Sequence, residues 1–234
     1  MTTIIGLKAE KGKKSTRGVI LGSDYTITST IPEDRGNVIY KRQVTNPFGK
    51  LYNGKGDRFV AGFTGVIDNT SIPFIKDLLD GKFDLEKAIA EGKFPEIRDM
   101  NLSRWGWKRP TNEQTEMLLA YRFNDRVGLY EVTCLGGVEE SSGSVIGSGS
   151  EYAKARIETD LRETGNFNMN LTTNYAIDLI NMGLKASDQD IYSKGFDMKI
   201  VRTDGVLSFG REIKRRTDET RKGLIKHIKG AAKK

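Results

Sequence analysis

The order of strand-like and helix-like segments is the feature that most limits what this chain can fold into. Segments with β-branched residues or period-2 alternation come in blocks, and pairs of segments with apolar residues at helical spacing separate the blocks. The sequence predicts strands at 2–7, 18–22, 24–28, 50–52, 58–61, 116–123, 127–135, 196–202 and 206–209, and helices at 66–79, 85–97, 151–161 and 172–185. Residues 31–49 read as a loop with a short strand, and 103–110 as a loop. Strand blocks separated by helix pairs predict two packed sheets with helices outside, a four-layer αββα sandwich in one α+β domain.

The net charge of +7 lies in the last residues of the chain. Residues 211–234 hold ten Lys or Arg and three Asp or Glu, whereas the first 210 residues hold 28 of each sign. We therefore expect a neutral folded domain at 1–210 and a basic, helical C-terminal tail at 211–234. Leu224, Ile225 and Ile228 would form a narrow apolar stripe on that helix, which is typical of docking on a partner, although a frayed, solvated terminus fits the sequence equally well.

Composition excludes several classes of site. Cys134 is the single cysteine and His227 the single histidine, which nearly excludes zinc sites and Ser-His or Cys-His triads, so we expect no metal and no cofactor. No window approaches the roughly 18 apolar residues of a membrane span. The N-terminus has no basic region followed by an apolar stretch. We therefore expect no secretory signal, no membrane contact and a cytoplasmic location.

The chain begins with a threonine directly after the initiator methionine. Removal of Met1 would leave Thr2 with a free α-amine within reach of its own hydroxyl. An α-amine has a reference pKa of about 7.7–8.0, which makes it a competent general base near neutral pH. A threonine hydroxyl activated in this way is a covalent nucleophile. If Met1 is retained, the amine is blocked and no such chemistry follows.

Six short sequence blocks occur along the chain, and this threonine lies in the first of them. They are MTTIIG at 1–6, GVILGSDYTIT at 18–28, KLY at 50–52, AGFTG at 61–65, IGSGS at 146–150 and DIYSKG at 190–195. In this order they resemble the proteasome β-subunit family of N-terminal-nucleophile threonine peptidases. The spacing of the third and fourth blocks, with Met directly before Thr, is most similar to the bacterial proteasome-like peptidase that works with a ring ATPase.

The resemblance implies the N-terminal-nucleophile hydrolase fold and a set of roles. Thr2 is the implied nucleophile. Lys50 is the implied cation that lowers the pKa of the Thr2 hydroxyl, and Lys41 is the alternative for this role. Asp24 is the implied acid that pairs with the lysine. Ser148, Asp190 and Ser193 are implied to orient the Thr2 amine, which completes the catalytic set. The backbone N–H of Gly62 is the implied oxyanion donor.

The resemblance also implies how substrate is held and with what the chain assembles. The main chain of Thr28 would pair with the substrate strand, and Ile27, Phe48, Val60 and Thr64 would lie near the first specificity pocket. The expected substrate is unfolded polypeptide. The expected assembly is a ring homo-oligomer, with an α-type ring or a ring ATPase as a further partner.

Three other functions stay open from the sequence. The chain could be a catalytically inactive structural subunit of such a ring, because the nucleophile depends on the loss of Met1. It could be a non-proteolytic amidase or acyl transferase, because the nucleophile chemistry is shared. Nucleic-acid binding is not expected of the neutral domain, and the basic tail is the part that would support it.

Overall fold

The computed structural model describes residues 3–13, 16–24, 26–32, 39–45, 50–65, 69–105, 114–165, 170–187 and 196–208, with the backbone only for 26–32, 39–45, 104, 105 and 196. The strands are β1 Ile4–Ala9, β2 Gly18–Asp24, β3 Thr26–Pro32, β4 Ile39–Thr45, β5 Leu51–Asn53, β6 Phe59–Phe63, β7 Met117–Arg122, β8 Val127–Val132, β9 Val138–Ser141, β10 Gly143–Ile146, β11 Phe196–Arg202 and β12 Gly205–Ser208. The helices are α1 Ser71–Leu79, α2 Leu85–Glu91, α3 Pro95–Trp105, α4 Ser150–Glu163 and α5 Thr173–Ser187.

The strands form two five-stranded antiparallel sheets and one separate hairpin. The first sheet has the order β10-β1-β2-β11-β12, and the second has the order β5-β6-β7-β8-β9. The hairpin of β3 and β4 pairs Thr26 with Thr45 and Pro32 with Ile39. The chain is therefore of mixed α+β class, with antiparallel pairing throughout the described sheets.

Three clusters of buried residues show which elements pack together. One cluster joins α1, α2 and α3 to β6, β7 and β8, and a second joins α4 and α5 to β1, β2, β10 and β11. The third contains no helical residue and combines both five-stranded sheets, with Ile4, Val19 and Leu21 from the first sheet and Leu51 and Val60 from the second. This composition favours the expected four-layer order, which stays a prediction.

The first helical block differs from the sequence prediction, because the single helix expected at 85–97 is two helices. Asp84 caps α2 by accepting the N–H of Lys87, and Gly92 ends it in the left-handed conformation at φ 64°. Pro95 then begins α3, which runs through Trp105 into the segment expected as a loop. Proline suits a first helical position and glycine a helix end, which explains the break.

Strand boundaries also differ in two places. The segments at 18–22 and 24–28, expected as one continuing strand, belong to β2 and β3 in different sheets. The segment expected as a loop with a short strand contains the seven-residue β4, and β9 and β10 were not expected. No helix in the described parts of the chain is long and apolar enough to cross a membrane. Residues 209–234, including the basic tail, lie outside the described residues.

Candidate active site

The first described residue of the chain is fixed by the end of β2. The backbone N–H of Thr3 donates to Asp24 Oδ1 at 2.8 Å, and the N–H of Asp24 donates to the Thr3 carbonyl at 3.3 Å. Thr3 is 2% exposed and leads directly into β1, which pairs with β2 along its whole length. The hairpin of β1 and β2 therefore brings Thr3 to the Asp24 carboxylate.

Lys50 forms a buried ion pair with the same carboxylate. Its Nζ lies 3.0 Å from both Asp24 oxygens, with side-chain exposures of 6% for Lys50 and 8% for Asp24. Lys50 directly precedes β5, so the second sheet supplies the ammonium and the first sheet the carboxylate. Because a buried charge needs a partner, these two side chains depend on each other. Lys41, the alternative cation, lies in β4, where only the backbone is described.

Burial changes the proton affinity of this lysine. Desolvation lowers the pKa of Lys50 below its ordinary value, while the charge of Asp24 and its hydrogen bond act in the opposite direction. The result is an amine that gives up a proton more readily than a lysine in water. A lysine with this property can stabilise a nearby negative charge and can also take part in proton transfer.

The loop before α4 packs against Thr3. A Cβ atom built on Gly149 would lie 2.3 Å from Thr3 Oγ1 and 2.9 Å from Ser187 Cβ, so the close approach requires glycine. Gly147 has φ 99°, which also favours glycine. Ser148 lies between these two glycines, is exposed, and stands one residue from the contact with Thr3. The structure therefore brings Ser148, Asp24 and Lys50 to the start of β1.

Strand β6 carries Val60 and Gly62, two of the residues expected at the site, and Thr64 directly follows it. A Cβ on Gly62 would meet Leu51 Cδ2 at 2.9 Å and Ile4 Cδ1 at 3.0 Å, so β6 lies against the start of β1 at this point. Val60 is fully buried in the cluster shared by both sheets. Thr64 is buried as well, and its N–H donates to the Glu116 carbonyl at 3.0 Å.

The pairing of β6 with β7 bears on the oxyanion assignment. Thr64 N–H donates to Glu116, and Arg58 accepts from the N–H of Arg122, so these two positions of the ladder are hydrogen-bonded pairs. Since such pairs alternate along antiparallel strands, the N–H of Gly62 should face β7. An oxyanion role would require this amide to leave the ladder, and the assignment stays a prediction.

The remaining expected site residues lie on β3 or outside the described residues. Ile27 and Thr28 lie in β3, where Thr28 pairs with Gln43, and only their backbone is described. Thr2, Phe48, Asp190 and Ser193 lie outside the described residues. Their roles remain those that the family resemblance implies.

Sequence reasoning missed two polar residues beside the pair. Ser23 is 0% exposed, and Asp197, across from it on β11, is 8% exposed. Burial raises the pKa of the Asp197 carboxyl, and the positive charge of Lys199 opposes this shift. The sequence signal that could have identified Asp197 is the alternation of polar and apolar residues in β11, where Asp197 and Lys199 share one face between apolar neighbours.

Other chemistry finds little support in the described residues. They contain no group of three or more His, Cys, Asp or Glu side chains that could hold a metal ion. Cys134 is buried, and burial raises the pKa of its thiol, which disfavours the reactive thiolate. Two cavities of about 820 and 560 Å³ lie elsewhere, and neither is lined by Thr3, Asp24 or Lys50.

Comparison with known proteins gives no family assignment. A scan against protein-family models found no matching family, and a search of curated proteins found no significant match.

Proposed function

We propose that the chain is a threonine-type endopeptidase subunit of a proteasome-like ring assembly, in which Thr2 attacks peptide bonds after removal of Met1. The observation that carries the proposal is the buried Asp24–Lys50 pair, hydrogen-bonded to the backbone of Thr3. Thr2 directly precedes Thr3 in the sequence, so the proposed nucleophile is the next residue along the chain from this hydrogen bond.

The chemistry is acyl transfer through a covalent intermediate. The Thr2 Oγ bonds to the substrate carbonyl carbon while its proton passes to the free α-amine. Collapse of the tetrahedral intermediate breaks the C–N bond, and that proton leaves with the amine product. Water, activated by the freed Thr2 amine, then cleaves the acyl ester and restores the hydroxyl.

Lys50 and Asp24 have separate tasks in this scheme. The Lys50 ammonium, held at 3.0 Å by Asp24, favours ionisation of a neighbouring hydroxyl, because an opposite charge stabilises the alkoxide. Burial lowers the pKa of Lys50, whereas the charge of Asp24 and its hydrogen bond favour the ammonium form that this role requires. Asp24 fixes the lysine and the start of β1 at once. Ser148 would complete the surroundings of the amine together with Asp190 and Ser193.

The fold and the substrate follow from the same proposal. The four-layer αββα arrangement of N-terminal-nucleophile hydrolases agrees with the membership of the three core clusters. Unfolded polypeptide would lie as an added strand along Thr28, in a ring homo-oligomer that excludes folded proteins. An α-type ring or a ring ATPase would deliver the substrate.

The identity of the N-terminal residue tests the proposal most directly. Intact mass should show loss of Met1, and an epoxyketone or boronate probe should label the protein at Thr2. Thr2→Ala should abolish labelling and peptide cleavage, whereas the matched Thr2→Ser variant keeps an amine and a hydroxyl and should retain both. A chain that keeps Met1 would be an inactive structural subunit. Turnover of small amides but not of peptides would indicate an amidase.

A further inference from the structure

A second cavity, of about 560 Å³, lies between the start of β6 and the start of α2. Its volume is within the range of about 300–1,000 Å³ that is common for ligand clefts. Phe59 and Tyr121, which line it, belong to the core cluster that the second sheet forms with α1, α2 and α3. Gly62 faces Ile4 of the first sheet instead. This β6–α2 cavity therefore lies on the opposite face of the second sheet from the candidate active site.

The floor of the β6–α2 cavity is apolar and aromatic. Phe59, Leu85 and Tyr121 are buried, and the rings of Phe59 and Tyr121 stand 6.5 Å apart at an angle of 16°. Phe83 is half-buried and stacks on Phe74 at 5.5 Å. Since each ring is fixed by a neighbouring ring, the floor is rigid, which suits an apolar side chain of a ligand.

Two of the four charged groups at the rim neutralise each other. Arg58 Nη2 donates to Glu86 Oε1 at 3.1 Å, and the Tyr121 hydroxyl donates to the same oxygen at 2.9 Å. Burial and this hydrogen bond raise the pKa of Tyr121 to about 12, so the hydroxyl keeps its proton and holds the Glu86 carboxylate in place. Arg58 and Glu86 therefore add little net charge to the rim.

The other two charges at the rim have no ionic partner. The Lys55 side chain, on the turn between β5 and β6, makes no hydrogen bond or ion pair with the described residues. Asp84 accepts the N–H of Lys87 at 3.0 Å and forms no ion pair within the described part of the chain. A Cβ atom built on Gly81 would lie 3.5 Å from Lys55 Cδ, so Lys55 reaches the loop that leads to Asp84. The rim thus offers one ammonium and one carboxylate to a ligand.

We propose that the β6–α2 cavity binds a short peptide with free termini and an apolar side chain. The peptide carboxylate pairs with Lys55, its ammonium pairs with Asp84, and its side chain lies on the floor of Phe59, Phe83 and Tyr121. A ligand with a single charge fits less well, because it would leave one rim charge without a partner. The binding itself does not depend on the proposed function, whereas the idea that such peptides arise as products of this chain rests on it.

The experiment measures calorimetric binding of the dipeptide Leu-Phe to the full-length protein. Three analogues each lack one feature: N-acetyl-Leu-Phe has no ammonium, Leu-Phe amide has no carboxylate, and Gly-Gly has no apolar side chain. The variants are Lys55→Met and Asp84→Asn, and asparagine keeps the cap of α2. Lys185→Met is the matched control, because Lys185 is exposed on α5, away from the cavity.

We expect saturable binding of Leu-Phe and binding about 10-fold weaker for each analogue, because each loses a charged hydrogen bond or the apolar contact. Lys55→Met should bind Leu-Phe and its amide equally, since the partner of the carboxylate is gone. Asp84→Asn should bind Leu-Phe and its acetylated form equally. Lys185→Met and Thr2→Ala should bind as the wild type does, which separates this cavity from the candidate active site.

Hydrogen exchange read by mass spectrometry locates the peptide in the wild-type protein without any variant. Saturating Leu-Phe should slow amide exchange in segments 55–59 and 81–86, and exchange in segment 143–146 should not change. This measurement decides the question if a variant does not fold.

The proposal is overturned if Leu-Phe does not bind saturably, or if all three analogues bind as tightly as Leu-Phe. Undiminished binding by folded Lys55→Met or folded Asp84→Asn would also overturn it, and so would protection from exchange outside segments 55–59 and 81–86. Expected binding of Leu-Phe without any peptide cleavage by the wild type would refute the proposed function alone. Cleavage without binding of Leu-Phe would refute this inference alone.

Discussion

Thr3 and Asp24 hold each other by two hydrogen bonds, from Thr3 N–H to Asp24 Oδ1 at 2.8 Å and from Asp24 N–H to the Thr3 carbonyl at 3.3 Å. The same carboxylate binds Lys50 Nζ through both of its oxygens. One acid therefore fixes Thr3 and the buried cation together. A change at Asp24 should move both.

The first prediction is a double-mutant cycle on the buried pair. Lys50→Met removes the ammonium that a buried carboxylate contacts, which should cost about 3–5 kcal/mol of unfolding free energy. Asp24→Asn with Lys50→Met leaves two neutral groups and should lose less than the sum of the single variants. Denaturant unfolding measures the stability of each variant, and peptide cleavage should be absent in all three.

The exposed pair of Lys82 and Asp77, at 2.7 Å, supplies the control. Lys82→Met should cost far less stability than Lys50→Met, because solvent screens an exposed pair. Strict additivity at Asp24 and Lys50 would contradict the coupling, and wild-type cleavage by Lys50→Met would discard the role of this lysine.

The second prediction concerns the contact between Gly149 and Thr3. Gly149→Ala places a methyl group 2.3 Å from Thr3 Oγ1 and 2.9 Å from Ser187 Cβ, so the start of β1 must shift. Overpacking of this kind costs about 1–3 kcal/mol. We expect a lower melting temperature and reduced probe labelling at Thr2.

Thr3→Ala in the Gly149→Ala background tests the cause of that loss. It removes the closest atom and should recover part of the stability, with the Ser187 contact remaining. Gly165→Ala, where nothing lies within 4 Å of the built Cβ but φ is 69°, separates backbone strain from crowding. A Gly149→Ala variant as stable and as reactive as the wild type would show that the contact is not tight.

Segments with a local signal were predictable from the sequence. The hairpin of β5 and β6 follows from alternation on both sides of a glycine-containing turn. Helices α4 and α5 follow from apolar residues at helical spacing, within two residues at each end. Their signals are local, so no knowledge of distant contacts was needed.

Features that depend on distant contacts were not predictable. Val138–Ser141, with the sequence VEES, has no apolar alternation, and it forms a strand because β8 pairs with it. The register that sets Asp197 opposite Ser23 joins residues far apart in the chain. Only the family resemblance predicted that Asp24 pairs with Lys50, because their separation in the sequence does not show whether they lie close together in the fold.

The third prediction concerns the basic tail. A chain ending at Gly210 should fold and keep its melting temperature, because the three core clusters lie within residues 1–210. We expect particle size or partner binding to change, with peptide cleavage per folded subunit retained. Size-exclusion chromatography with light scattering and a separate cleavage assay measure these effects. Normal assembly and partner binding would leave the tail without a role, and failure to fold would move the domain boundary.

The last prediction is a pH dependence of stability from the ion pairs of Glu140, which joins the two sheets through Lys8. Lys8 Nζ on β1 lies 2.6 Å from Glu140 Oε1 on β9, and Arg126 Nη1 lies 3.3 Å from the same oxygen. The hydrogen bond from Lys8 lowers the pKa of Glu140, against a smaller effect of burial. The ionised carboxylate therefore stabilises the fold above its unfolded pKa of about 4.3, and this contribution is lost as the pH falls through the lowered folded pKa.

Glu140→Gln should then lower the unfolding free energy at pH 7 by about 0.5–1 kcal/mol, a modest loss because the Glu140 side chain is 40% exposed. The difference from the wild type should shrink as the pH falls below about 4, where the native carboxyl is protonated as well. Denaturant unfolding at pH 7, 5 and 3.5 measures it. Glu163→Gln, at an exposed position with no ion pair to the described residues, should match the wild type at each pH. A Glu140→Gln deficit that is constant from pH 7 to 3.5 would assign the loss to packing rather than to charge.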